Sequence, residues 1–243
     1  MKVLINGFKG KMGDTAVTAV TNEDGLEFVG GVEKGDDLLR AIQDNNPDVV
    51  VDLTHPTVVF ENCQTILSAG KSAVVGTTGL SDAELQQLDA LAKEKNVAIL
   101  VCPNFAISAI LMMRFAKEAA KWMQRCEIIE YHHDKKADAP SGTAIKTAQM
   151  IAEAASDINK EPLDEEELYE GARGATVENI PVHAIRIPGV VANQEVIFGT
   201  QGQSLSIRHD TINRDAFMPG LMMAIKATKS VTGLVYGLEN VLV

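Results

Sequence analysis

Basic side chains are in the minority: 22 Lys and Arg stand against 33 Asp and Glu among 243 residues, a formal net charge of −11. Sequence-independent nucleic-acid binding needs a basic footprint, so that class is excluded. An anionic small molecule would have to be drawn by a local cationic pocket and not by the global field. Cysteine is scarce as well. Cys63, Cys102 and Cys126 are odd in number, far apart and without CxxC pairing. That pattern argues against a disulfide framework and against a metal centre, and it predicts three buried thiols in a reducing compartment. No apolar run approaches the length of a membrane span, and Val3-Leu4-Ile5 is too short for a signal-peptide core. A cytoplasmic protein without membrane or nucleic-acid partners is expected. There is no internal repeat and no low-complexity tract.

What is present has two grammars. Over the first hundred residues, short β-branched runs alternate with helix-period segments. Val3–Asn6, Glu27–Glu33, Asp48–Asp52, Ser72–Val75 and Val97–Cys102 read as strands, most of them apolar enough to be buried on both faces. Helices are expected at Met12–Thr21, Asp37–Asp44, Val58–Ala69 and Asp82–Lys95, the last with a capping box from Ser81 and Glu84. Such alternation predicts a Rossmann-like, doubly wound parallel sheet. After Pro103-Asn104-Phe105 a long helix is expected over Ile107–Gln124, then a strand at Glu127–Tyr131 and a helix at Thr143–Ala155. Ser156–Asn179, with the run Asp164-Glu165-Glu166-Glu167, reads as a solvated excursion without its own core. Runs at Val182–Ile187, Glu195–Phe198 and Ser204–His209, the last two joined by Gly199-Thr200-Gln201-Gly202, predict a mainly antiparallel sheet in a second, α+β domain. The expected division is 1–105 as a dinucleotide-binding domain, completed by 211–243 with a Met-rich helix at Asp215–Lys229. Residues 106–210 form the second domain.

Gly7-Phe8-Lys9-Gly10-Lys11-Met12-Gly13 follows the first strand and opens the first helix. Its glycines suit a tight turn and close approach to a pyrophosphate on the helix N-terminus. It departs from GxGxxG, since Phe8 takes a glycine position, but strand before and helix after are the expected context. Glu33, twenty positions beyond Gly13, can accept from adenosine ribose hydroxyls and favours NADH, while the adjacent Lys34 can pair with the 2′-phosphate of NADPH. Gly10-Lys11 is followed by Met12 and not Ser or Thr, which rules out an NTPase phosphate loop. Gly76-Thr77-Thr78-Gly79 ends the fourth strand with glycines suited to contact with a ribose or nicotinamide. Pro103-Asn104-Phe105 ends the fifth, where it can both touch the nicotinamide and act as a hinge. His55, after the third strand, reads equally well as part of a strand-to-helix turn.

At the other end of the chemistry lies His132-His133-Asp134-Lys135-Lys136-Ala137-Asp138-Ala139-Pro140-Ser141-Gly142-Thr143. Four potentially cationic side chains precede a helix start whose Ser141, Gly142 and Thr143 amides favour an anion. Together they make a pocket for a carboxylate or phosphate, with imidazoles and amines for proton transfer, one histidine being expected to titrate near neutrality.

From Gly7–Gly13 through Gly76–Gly79 and Pro103–Phe105 to Glu130–Thr143, the sequence resembles the 4-hydroxy-tetrahydrodipicolinate (dihydrodipicolinate) reductase family over essentially its whole length. The resemblance implies reduction of a cyclic conjugated imine bearing two carboxylates, by NADH or NADPH, in diaminopimelate and lysine biosynthesis. It casts His132 as proton donor with Lys136 as its partner, and His133, Gly142 and Thr143 as substrate-carboxylate contacts. It casts Gly7, Phe8, Lys9, Gly10, Lys11 and Met12, with Glu33, Gly76–Thr78 and Cys102–Phe105, as cofactor contacts. It also implies a homotetramer, for which the outer face of the second sheet, carrying Val191, Ile197 and Leu205, is the expected contact. Two other readings compete: a related NAD(P)-dependent dehydrogenase of another amino-acid precursor, which would not need the paired histidines, and a non-catalytic NAD(P) sensor, which would lack the proton donors.

Overall fold

A computed structural model describes residues 1–241; the last two positions of the segment expected to complete the first domain lie outside the described residues. The chain divides into two units, Met1–Ala106 joined by the segment from Arg214 onward, and Ile107–Asn213.

In the first unit β1 (Lys2–Asn6), α1 (Lys11–Asn22), β2 (Glu27–Val32), α2 (Leu38–Asn45), β3 (Val49–Asp52), α3 (Val59–Ser68), β4 (Ser72–Val75), α4 (Asp82–Lys95) and β5 (Ala98–Val101) alternate without exception. Val3–Ile5, Val49–Val51, Ala73–Val75 and Ala98–Leu100 have no exposed surface, the mark of strands covered on both faces. Each such Val, Leu or Ile contributes about 1.5–3 kcal/mol by leaving water. Helix ends follow local chemistry. Asp37 caps α2 by accepting from the Arg40 amide at 3.0 Å, and Ser81 with Glu84 forms the expected capping box on α4.

The second unit begins with α5 (Ile107–Ala120), four residues shorter than its apolar periodicity suggests, and continues through β6 (Arg125–His132), α6 (Gly142–Ala154), β7 (Ala175–Val177), β8 (Ile180–Arg186), β9 (Ala192–Thr200) and β10 (Gln203–Thr211). Its sheet runs β10-β9-β6-β8-β7. Three of its pairings are antiparallel and β6–β8 is parallel. The β9–β10 turn is tighter than the four-residue signal, since Thr200 pairs with Gln203 and only Gln201 and Gly202 lie between. Helices α5 and α6 pack against β6, β8, β9 and β10, on the face that carries the buried Cys126, Ile128 and Glu130. All three cysteines are buried free thiols, as expected.

The chain then returns to the first unit through α7 (Met218–Ala227), preceded by a 3-10 turn, and β11 (Gly233–Tyr236). Sheet order there is β11-β5-β4-β3-β1-β2, all parallel. The order reverses between β1 and β3, which makes that crevice the switch point where ligands of such sheets bind.

Three expectations need correction. Residues 156–179 are not wholly solvated: β7 pairs with β8, Ile158 is buried, and the Asn159 side chain bonds backbone of Cys126 and Asn179. Strand β11 went unforeseen; it adds in parallel to β5 at the edge of the sheet. The proposed outer face was wrongly composed. Ile197 is on the face away from the helices, but Leu205 pairs with Phe198 on the opposite side, and Val191 precedes β9.

Candidate active site

The switch point of the first unit is organised by two devices. Gly7 leaves β1 with φ +86, a conformation that disfavours any side chain, and a Cβ there would come within 2.6 Å of the Leu53 carbonyl oxygen at the end of β3. Gly13, in the first turn of α1, lies against the backbone of Gly7 and Phe8 so closely that a Cβ would sit 2.7 Å from Phe8 Cα. Phe8, in the position of the missing glycine, lays its ring on Gly31 of β2. Helix α1 starts at Gly10 without a side-chain cap, so its first amides, at Lys11, Met12 and Gly13, lack intrahelical partners. Helix α4 of the same unit carries a capping box at that place, whereas Gly10 has no side chain to offer. Glu33, just beyond β2, accepts from the Lys9 amide at 2.5 Å, which fixes its carboxylate beside the loop. Lys9 Nζ lies 5.3 Å from the centre of the Phe8 ring, and Lys34 next to Glu33 is exposed.

The second device is Asp52. Its side chain is wholly buried and accepts from Asn6 and Asn62 amides at 2.9 Å. It also accepts from the Thr54 and Thr77 hydroxyls at 2.8 Å. Thr77 Oγ1 in turn accepts from the Thr54 amide at 2.8 Å. One carboxylate thus ties together the carboxyl ends of β1, β3 and β4. Asp52 was not among the expected site residues, although a charged residue closing a strand of valines is a visible signal. Cys102 and Phe105 are buried, and burial pushes the Cys102 thiol up to about 12. These two residues offer a ligand backbone, not side chains. Asn104 Oδ1 accepts from the Ala106 amide at 2.8 Å, shaping the turn after Pro103. Gly76 is pressed between Leu53 and Phe105, and Thr78 is exposed. His55 bonds Thr57 within its own turn, the local reading.

These features fit a dinucleotide: a cradle that added Cβ atoms would fill, bare amides for a pyrophosphate, and a held carboxylate for ribose hydroxyls.

In the second unit, β6 ends at His132, and the pleat puts Glu130 and His132 on the same face. Glu130 has no exposed side-chain surface. It accepts from His132 Nδ1 at 2.6 Å, from Arg186 Nη1 and Nη2 at 2.7 Å each, and from the Ser141 amide at 3.1 Å. Burial alone would raise the Glu130 pKa, but the bonds from Arg186 and His132 outweigh it and hold the carboxyl below its usual range. Burial pushes His132 below its ordinary value despite the Glu130 bond, with Lys136 and Arg186 adding to the fall. Lys136 Nζ bonds Asp138 Oδ1 at 2.7 Å and is mostly buried, whereas Asp138 is exposed. Arg186 Nη2 also donates to the Asp138 carbonyl at 2.8 Å. His133 is exposed beyond the strand end.

Ser141 is the N-cap of α6, its side chain accepting from the Ala144 amide at 3.2 Å. Its own amide, expected to face an anion, is spent on Glu130. Gly142 and Thr143, the first helical residues, keep amides without intrahelical partners. Glu130 and Arg186 were not among the expected site residues.

Residues 1–105 match the N-terminal part of dihydrodipicolinate reductase, and residues 108–242 match its C-terminal part. The chain belongs to the dihydrodipicolinate reductase family. A 4-hydroxy-tetrahydrodipicolinate reductase from Mycobacterium sp. (strain KMS) is 49% identical over all of this chain and 99% of its own. One from Listeria welshimeri is 45% identical over the full length of both. The solved structure of dipicolinate-bound dihydrodipicolinate reductase from Paenisporosarcina sp. TG-14 superposes with TM-score 0.90 at 42% identity, over 100% of this chain and 99% of that one. The family match spans both units, so both the glycine loop and the His132–Thr143 loop belong to it.

Proposed function

We propose that this member of the dihydrodipicolinate reductase family reduces 4-hydroxy-tetrahydrodipicolinate to tetrahydrodipicolinate, in diaminopimelate and lysine biosynthesis. NADH or NADPH supplies the hydride when bound. The observation that carries the reading is the gathering of His132, Lys136 and the bare Gly142 and Thr143 amides around one loop of the second unit. It occurs in a chain whose full length matches the family.

The residues divide the task. Gly7, Phe8, Lys9, Gly10, Lys11 and Met12 form the dinucleotide loop; Glu33 and Lys34 face the adenosine ribose, and Gly76, Thr77, Thr78 and Cys102–Phe105 shape the nicotinamide end. The amides of Gly142 and Thr143, aimed by the Ser141 cap, hold a substrate carboxylate together with His133. Lys136 sets a positive charge against the electron density that develops on the reduced ring system. His132 holds the proton that quenches it. A base pushed below its ordinary pKa gives up that proton readily.

A dicarboxylate substrate suits a locally cationic loop on an otherwise acidic protein. The sensor reading is disfavoured by the retained His132–Lys136 pair, and the reading as a dehydrogenase of another precursor by the match across the whole chain. We further assign the protein to the cytoplasm as a homotetramer, in keeping with the family resemblance. That assembly is supported by the partly exposed sheet face that bears Ile129, Tyr131 and Ile197. No helix among the described residues is long and apolar enough to cross a membrane.

The test is NADH and NADPH consumption followed at 340 nm with the condensation product of pyruvate and aspartate semialdehyde. His132→Gln and Lys136→Met should each lower turnover by roughly 100-fold or more while changing NADH affinity only a few-fold. Equal loss of cofactor binding would assign both residues to the fold. Light scattering that gives a monomer would overturn the tetramer.

A further inference from the structure

We infer that Glu130 and Arg186 are positioning residues that fix the tautomer and acidity of His132 and tie it to both anion-binding arms of the loop. The inference rests on the role proposed for His132.

A carboxylate is an acceptor only. With Glu130 Oε2 2.6 Å from His132 Nδ1, neutral His132 must carry its hydrogen on Nδ1, and the proton gained on charging sits on Nε2. Nδ1 is thereby withdrawn from chemistry and Nε2 is left as the group that can deliver a proton. Glu130 can do this only if it stays ionised while wholly buried, which needs a paired and hydrogen-bonded cation. Arg186 is that cation. Its two terminal nitrogens meet both carboxylate oxygens at 2.7 Å in a bidentate fork. The register explains the fit. His132 lies opposite Arg186 across the parallel β6–β8 pair and Glu130 lies opposite Ala184, so Glu130 and Arg186 share one face of the sheet, two positions apart in register.

The same carboxylate reaches further. Its other oxygen takes the Ser141 amide, so the cap that aims the Gly142 and Thr143 amides hangs from the group that orients the proton donor. Arg186 holds the Asp138 carbonyl, and Asp138 holds Lys136. Proton donor, positive charge and carboxylate-binding amides therefore share one buried anchor.

The charged groups that act on His132 are Glu130 on its own strand, Arg186 on β8 and Lys136 on the following loop. Its partner on β9 is Ala192, which is neutral. Glu130 favours the imidazolium; Arg186 tempers that pull. Removing one or the other must shift His132 in opposite directions, which a purely structural role would not do.

Two measurements test this. In imidazole ¹⁵N spectra, with His132 assigned through His132→Gln, the neutral ring should be the Nδ1–H tautomer in the parent protein and lose that preference in Glu130→Gln. In kcat/KM against pH, activity falls as His132 loses its proton. Glu130→Gln should move that limb down by about one unit or more, and Arg186→Met should move it up. Glu130→Gln should also lower kcat about 100-fold, with KM for NADH within about threefold, since a misoriented ring is as costly as a missing one. An Nε2–H tautomer in the parent protein, or limbs that stay in place or shift in the same direction, would overturn the inference. Absence of turnover in the parent would instead defeat the proposed function and leave the tautomer measurement standing. If one variant fails to fold, the other and the parent spectrum still decide.

Discussion

Gly13→Ala sets two effects of known size against each other. Inside a helix an alanine is favoured over glycine by about 0.5–1 kcal/mol, an upper bound for Gly13 in the first turn of α1. Against that, the new Cβ would lie 2.7 Å from Phe8 Cα and 2.8 Å from its carbonyl carbon, and closer still to the Gly7 carbonyl oxygen. Carbon atoms rest at about 3.5–4 Å, so the loop has to retreat by about 1 Å. Overpacking of that kind costs about 1–3 kcal/mol. The net loss of stability is then between almost nothing and about 2.5 kcal/mol, or at most about 10 °C in unfolding temperature for a chain of this size. Cofactor binding has no compensating gain. A loop displaced by 1 Å loses at least one charge-assisted hydrogen bond to the pyrophosphate, worth about 1.5–3 kcal/mol, and NADH affinity should fall about 10- to 100-fold. Fluorescence titration with NADH and a thermal melt measure both quantities on one sample. Unchanged NADH affinity in a variant whose melting temperature moves within the stated range would refute the seating of the pyrophosphate on this loop.

Asp52→Ala should lose about 3–5 kcal/mol in urea unfolding, because Asn6, Thr54, Asn62 and Thr77 would point donors into an empty buried space; a loss under about 1 kcal/mol would show that the strand ends hold without it. His209 is buried between the Ser108 and Thr211 hydroxyls at 2.8 and 3.0 Å, and burial pushes its pKa down. The unfolded chain therefore binds that proton first. The contribution is full above about pH 6.5 and declines as pH drops from there toward the folded value. Stability of the parent protein should fall as pH drops below about 6.5, and His209→Gln should flatten that slope; an unaltered slope would remove His209 as its source.

The alternation of β-branched and helical segments was enough to read the first unit, because strands covered on both faces must be continuously apolar and crossover helices must be amphipathic. The cap at Ser81 was equally plain, since it depends on a Glu three positions on, whereas Asp37, read as the first helical residue, is the cap that precedes α2. Glu130 was half legible: a carboxylate two positions before a histidine on a strand shares its face, and that spacing was there to be used. Arg186 was not. It lies 54 positions beyond His132 and reaches Glu130 only through the parallel register of β6 and β8, where a slip of one residue would turn it to the opposite face.

The sequence by itself determined which chemistry is available here: a glycine loop ahead of a helix, and histidine, lysine and bare amides within twelve residues. Those are local patterns, written in adjacent positions and readable one turn or one pleat at a time. Tertiary structure alone decided which of those groups are held and how they ionise. The buried carboxylates Asp52 and Glu130 gather partners from strands far apart in the chain, and burial, pairing and orientation come into being only once those strands are side by side.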